Sequence, residues 1–102
     1  MIHVVAEIRL HPGQTANFLD DFRRLTPEVH AEDGCIEYGA TTDTPSGLAA
    51  QAPVRHDLVT VIEKWRDVAA LDAHLKAPHL ATHRRRTADF VREVRIYVLE
   101  GV

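Results

Sequence analysis

Apolar and polar positions alternate strictly over residues 2 to 10. Ile2, Val4, Ala6, Ile8 and Leu10 fall on one side and His3, Val5, Glu7 and Arg9 on the other, the period-2 signature of a strand. Pro12-Gly13 ends it, and from Gln14 the period lengthens: Phe18, Phe22, Leu25 and Val29 recur at spacings of four, three and four, lining one side of an amphipathic helix. Pro27 is expected to kink or divide that helix, because proline lacks an N–H and its ring crowds the preceding turn. Glu32-Asp33-Gly34 reads as a helix stop with Gly34 in the left-handed conformation, and Cys35 to Ala40 as a short strand.

Residues 42 to 57 carry two prolines, a glycine and small polar side chains, the composition of a long mobile loop with the reach of a lid. Leu58 to Trp65, LVTVIEKW, is β-branched on both faces and is expected to be covered on two sides. Asp67 suits an N-cap for a helix that turns Val68, Leu71 and Leu75 inward, Pro78 interrupts it, and a further helix runs from about His79 to Phe90. Arg92 to Leu99, REVRIYVL, alternates again. The order is βαββαβ, one α+β domain over residues 1–102 of the ferredoxin-like kind, with a four-stranded antiparallel sheet and helices on one face. The other face, with Val5, Tyr97 and Leu99, is left bare, so sheet-on-sheet pairing into a homodimer is expected.

Composition narrows the function classes. With 12 Lys and Arg against 15 Asp and Glu the formal charge is -3, so no general positive field exists to gather nucleic acid. No apolar run approaches a membrane span and the first residues alternate rather than forming a signal core, which predicts a cytoplasmic protein with no membrane partner. Cys35 is the only cysteine, so neither an internal disulfide nor a cysteine-built zinc site is available. Its acidic neighbours Glu32, Asp33 and Glu37 disfavour a thiolate.

Taken in order, Val5-Ala6-Glu7-Ile8, Pro12-Gly13, Glu32 through Tyr38, Glu63-Lys64-Trp65, His74 and Pro78-His79 resemble the antibiotic biosynthesis monooxygenase family over nearly the whole chain. The likeness is to the small stand-alone members. It implies a dimeric α+β barrel and a quinol or anthrone monooxygenase that uses dioxygen and a small-molecule substrate, with no flavin, haem or metal cofactor. The family also contains haem-degrading enzymes and an isomerase of a phosphorylated sugar. The haem branch adds an asparagine on the first strand, and residues 2 to 10 contain none.

Two residues carry the expected chemistry. Trp65 ends the third strand and His74 lies on the next helix one turn beyond Leu71, so both can border a pocket between sheet and helices. A neutral His74 suits a general base or hydrogen-bond donor on a phenolic or enolic oxygen, and Trp65 suits an apolar wall that excludes water; the alternative is a core tryptophan with a satisfied buried histidine. Glu63, two residues before Trp65, shares its strand face and is either a substrate-side carboxylate or a cross-strand partner of Arg95. Tyr38, with Phe22 and Phe90, offers rings to a flat substrate or simply packs.

His79 is a candidate for the pocket rim. His79 and His83 are four apart, a spacing that can hold a metal, but no third ligand accompanies them and no metal site is expected. Arg84-Arg85-Arg86 reads as a solvated helix face, with the capacity to meet an anionic group such as the phosphate of a sugar. Besides the monooxygenase, the isomerase and a non-catalytic ligand-binding domain fit the residues.

Overall fold

The structure, a computed structural model, describes all 102 residues. Strand β1 (Ile2–Leu10) leads into α1 (Thr15–His30), β2 (Cys35–Thr41) and β3 (Leu58–Trp65). Then come α2 (Val68–Leu75), α3 (Pro78–Thr87) and β4 (Val91–Glu100). The four strands form one sheet in the order β2-β3-β1-β4, every neighbouring pair antiparallel. This is the ferredoxin-like α+β arrangement expected from the hydrophobic pattern, with its second helical unit split in two.

Local chemistry explains the boundaries. Asp67 caps α2 through its side chain, which accepts from the Ala70 amide at 2.9 Å, satisfying one of the free N–H groups of the first turn. Pro78 occupies the first turn of α3 after an extended Ala77, where its missing N–H costs nothing. Pro27 neither divides nor ends α1, contrary to expectation: the helix continues from Thr15 to His30 through it. Only the last turn lies beyond the proline. Leu25 and Val29, both buried, clamp the chain on either side of it, and the Thr26 hydroxyl donates to the Phe22 carbonyl at 2.9 Å.

Register places the core. Val4 stands opposite Glu63 and Ala6 opposite Val61, Tyr38 stands opposite Glu63, and Trp65 faces Ile2, so these residues line the helix-facing side of the sheet. Phe18, Phe22, Leu25 and Val29 from α1 and Leu71 and Leu80 from α2 and α3 pack against it, each such burial contributing about 1.5–3 kcal/mol. The expectation that β3 is covered on both sides is not met within the single chain. Val59, Val61, Glu63 and Trp65 are buried under the helices, but Thr60, Ile62 and Lys64 on the opposite face are only half-buried.

Strand β4 departs further from the one-sided pattern. Val94, Ile96 and Val98 pair with Ile8, Ala6 and Val4 and so face the helices, while Tyr97 pairs with Val5 on the outer side. All four are exposed, as is Leu99. The helices crowd over β1 to β3 and leave the β4 end of the layer open.

The turn after α1 sits tightly on the start of α2. Gly34 adopts φ +84°, and a Cβ there would lie 2.6 Å from Cβ of Ala70; only glycine permits both the left-handed backbone and the close approach. The Arg66 amide donates to the Gly34 carbonyl at 2.8 Å. The turn is thereby held against the start of α2.

Candidate active site

Seating that turn against α2 carries Glu32 into the junction of α2 and α3. His74, in the last turn of α2, donates from Nδ1 to Glu32 Oε2 at 2.8 Å. His79, at the start of α3, reaches the same oxygen through Nε2 at 2.8 Å. A carboxylate that accepts from Nδ1–H fixes the tautomer of a neutral His74, whose lone pair is then on Nε2. The His74 ring is 2% exposed, tilted against Trp65 with centroids 4.7 Å apart, and edge-on to Tyr38 at 5.3 Å.

Behind His74 lies a second buried polar link. Trp65 Nε1–H donates to Glu63 Oε1 at 2.9 Å, which gives the otherwise fully buried indole its partner. Burial pushes the Glu63 carboxyl above its ordinary range, against the opposing effects of the Trp65 bond and of His74. Tyr38 is a phenol with no tendency to ionise, since burial and the charges of Glu63 and Glu32 all push its pKa up. The expected ion pair of Glu63 with Arg95 does not form; Arg95 instead meets Glu93 on its own strand.

Between sheet and helices lies a cavity of about 310 Å³, within the range of small-molecule sites, about 300–1,000 Å³. Its wall is mainly apolar, with Phe18 and Phe22 from α1, and Tyr38, Glu63 and His74 all reach it. Two positions fall elsewhere than expected. Trp65 is not part of the wall but backs His74, and His79 lies outside the cavity, partly exposed. The 42–57 loop contributes nothing to the wall. It is tied to the outer side of the sheet by Arg55, which pairs with Asp43 and with Glu7, so it is not placed as a lid.

Three residues contribute in ways that the sequence reading did not assign to them. Glu32 is one; the others are His83 and Asp21, whose Nδ1 and Oδ2 are 2.7 Å apart in a buried bond. His83 also borders the cavity and stands edge-on to Phe18 and Phe22. Burial holds its pKa below the ordinary histidine value, against the raising effect of Asp21. The arginine run is exposed at all three positions, as expected of a solvated helix face. Arg84 stands at the cavity rim and Arg86 lies 3.7 Å from Asp21 Oδ1.

Asp21 did leave a trace in the sequence, as a charged residue inside the Phe18, Phe22, Leu25 stripe. Glu32, in a turn, left none. No three or more His, Cys, Asp or Glu side chains converge as metal ligands, and the Cys35 thiol is pushed up by burial and by Glu32 and Glu63. No helix is long and apolar enough to cross a membrane.

A ferredoxin-like layer enclosing an apolar cavity with a carboxylate-oriented histidine is what a small oxygenase of this size can use, and the chain belongs to the antibiotic biosynthesis monooxygenase family, whose model matches residues 1–86. It is 35% identical over 102 residues to the Escherichia coli (strain K12) protein named "Probable quinol monooxygenase YgiN", covering 98% of this chain and 97% of that one. Among solved structures, PA3566 from Pseudomonas aeruginosa is similar with a TM-score of 0.80 and 27% identity, over 99% of this chain and 93% of that one. Rv0793 from Mycobacterium tuberculosis shares the fold with a TM-score of 0.79 at 22% identity, over 99% and 94%. Family and relative together support a monooxygenase-type function.

Proposed function

We propose that the chain is a cofactor-independent monooxygenase acting with dioxygen on a small electron-rich aromatic of the quinol or anthrone type. The observation that carries this reading is His74 in the wall of an apolar cavity, bonded through Nδ1 to Glu32, which lies outside that wall. In this reading His74 Nε2 accepts the hydroxyl proton of the substrate, and Glu32 holds Nδ1–H and stabilises the imidazolium that forms. The deprotonated ring is then electron-rich enough to react with dioxygen. One oxygen atom becomes bonded to a ring carbon and the other leaves as water, the four electrons all coming from the substrate. Apolar walls keep bulk water from the reacting atoms, while Trp65 and Tyr38 fix the plane of His74 and Glu63 faces the same space.

The relative's name supports the quinol class, and the mainly apolar wall favours a flat aromatic over a phosphorylated sugar, for which Arg84 at the rim is the only cavity cation. Two copies pair, in this reading, through the outer sheet faces that carry Val5, Tyr97 and Leu99, and sedimentation at micromolar concentration checks that assembly. The deciding experiment is oxygen uptake by metal-free, flavin-free protein with hydroquinones, naphthoquinols and anthrones, corrected for spontaneous oxidation. Saturable uptake that falls about 10²–10⁴-fold in His74→Ala, the share a positioned base supplies, supports the reading. Uptake no faster than background, or unchanged in His74→Ala, overturns it.

A further inference from the structure

His74 is not the only histidine presented to the cavity on a carboxylate. His83, from α3, borders the same space and donates from Nδ1 to Asp21 Oδ2 of α1 at 2.7 Å, repeating across the cavity what His74 does with Glu32 at 2.8 Å. In each pair the carboxylate accepts at Nδ1, so in the neutral ring Nε2 carries a lone pair and no hydrogen. The two imidazoles are spaced by two aromatic rings. His74 stands edge-on to Tyr38, Tyr38 lies nearly parallel to Phe22 at 10° and 5.4 Å, and His83 stands edge-on to Phe22.

His83 is 6% exposed. The ring has committed its one N–H to Asp21, and its other nitrogen has no protein donor of its own while the side chain borders the cavity. An acceptor on a cavity wall is available to a donor from whatever fills the cavity.

We propose that His83, oriented by Asp21, is a second substrate-binding residue that accepts a hydrogen bond from a second ring hydroxyl, so that the preferred substrate is a dihydroxyarene held at both oxygens, one at His74 and the other at His83. This deepens the monooxygenase reading and rests on it for the role of His74. A ligand with a single hydroxyl satisfies one imidazole and leaves the other without its donor. Asp21 acts as a positioning residue, since it touches His83 and Arg86 rather than the cavity.

The test is a matched pair of ligands, 1,4-dihydroxynaphthalene and 4-methoxy-1-naphthol, in which one methyl group removes the donor of the second oxygen. Trp65 is the single tryptophan and packs on His74, so quenching of its fluorescence under anaerobic conditions gives both dissociation constants without turnover. The wild-type protein is expected to bind the diol about tenfold or more tightly over the ether, the discrimination expected when a buried partner is left unpaired.

Asp21→Asn keeps the shape of the site. Arg86 lies beside Oδ1, so the amide oxygen takes that position and its NH₂ turns to His83 Nδ1, moving the ring hydrogen to Nε2 and converting the acceptor into a donor. In that variant, and in His83→Phe, the preference for the diol is expected to disappear while affinity for the ether changes less than about threefold. Circular dichroism and melting identify any variant that fails to fold, and Asp21→Asn then decides alone.

Equal affinity of the wild type for the two ligands, binding of neither, or a diol preference that survives in folded Asp21→Asn overturns the assignment. Oxygen uptake measured in parallel separates the two claims. A diol preference lost in Asp21→Asn but unaccompanied by uptake upholds the second anchor and refutes the oxygenase, and uptake dependent on His74 with no diol preference does the reverse.

Discussion

Glu32 offers the most direct perturbation of the site, because one oxygen serves two histidines 42 and 47 residues away in sequence. Glu32→Gln preserves shape and both contacts but removes the charge. A hydrogen bond to a charged group contributes about 1.5–3 kcal/mol and a neutral one about 0.5–1.5, so each contact loses about 1 kcal/mol. The His74 contact is buried and loses the full amount. The His79 side chain is 22% exposed and solvent reduces its share to about half. The total, about 1.5 kcal/mol, corresponds to a fall in melting temperature of about 5–10 °C for a domain of this size.

Thermal unfolding followed by circular dichroism at fixed protomer concentration measures it. The same substitution made in a His79→Gln background is expected to cost only the His74 share, about 1 kcal/mol. A melting temperature within about 2 °C of wild type, or an equal fall with and without His79, refutes the shared bridge.

Trp65→Phe strands the Glu63 carboxyl without its donor and is expected to cost about 2–4 kcal/mol; a urea double-mutant cycle with Glu63→Leu should show coupling of at least about 1 kcal/mol. His83 has a folded pKa below its ordinary 6.5, so the unfolded chain takes up that proton first. Its contribution to stability is complete above about pH 6.5 and is lost as pH falls through the depressed value, and urea midpoints of His83→Gln should fall less steeply there. Glu63, held above its ordinary 4.5, acts in the opposite sense: its contribution is complete below about 4.5 and is lost as pH rises through the raised value, so Glu63→Gln should flatten the rise in stability on acidification. Gly34→Ala meets both the positive φ and the 2.6 Å approach to Ala70, whereas Gly13→Ala has a positive φ and open space; melting should report about 2–4 kcal/mol for the first and about 1 for the second.

The topology was legible because alternation in β1 and the four-three-four spacing of α1 reflect burial that the structure realises. Its errors have local causes. Pro27 was read by its backbone chemistry alone, but with only one turn left, anchoring by Val29 outweighs the lost hydrogen bond. The site was legible where a residue's own element turns it inward, as for Tyr38, Glu63 and His74. It was not legible where side chains pair across the fold. His74 finds Glu32 through the left-handed turn at Gly34, and His83 finds Asp21 on another helix 62 residues away; no periodicity encodes either distance.

The Arg55 tether has a use beyond the cavity. Its ion pairs with Asp43 and Glu7, together with Thr41 donating to the Thr60 carbonyl at 2.6 Å, close the β2–β3 connection near its base, and the exposed stretch from Pro45 to Gln51 projects beyond that closure. Lengthening a loop already closed costs little, about 0.6 kcal/mol per doubling. The tip around Gly47 and Leu48 is therefore a place where an epitope or a reporter domain can be grafted with both histidine–carboxylate pairs undisturbed.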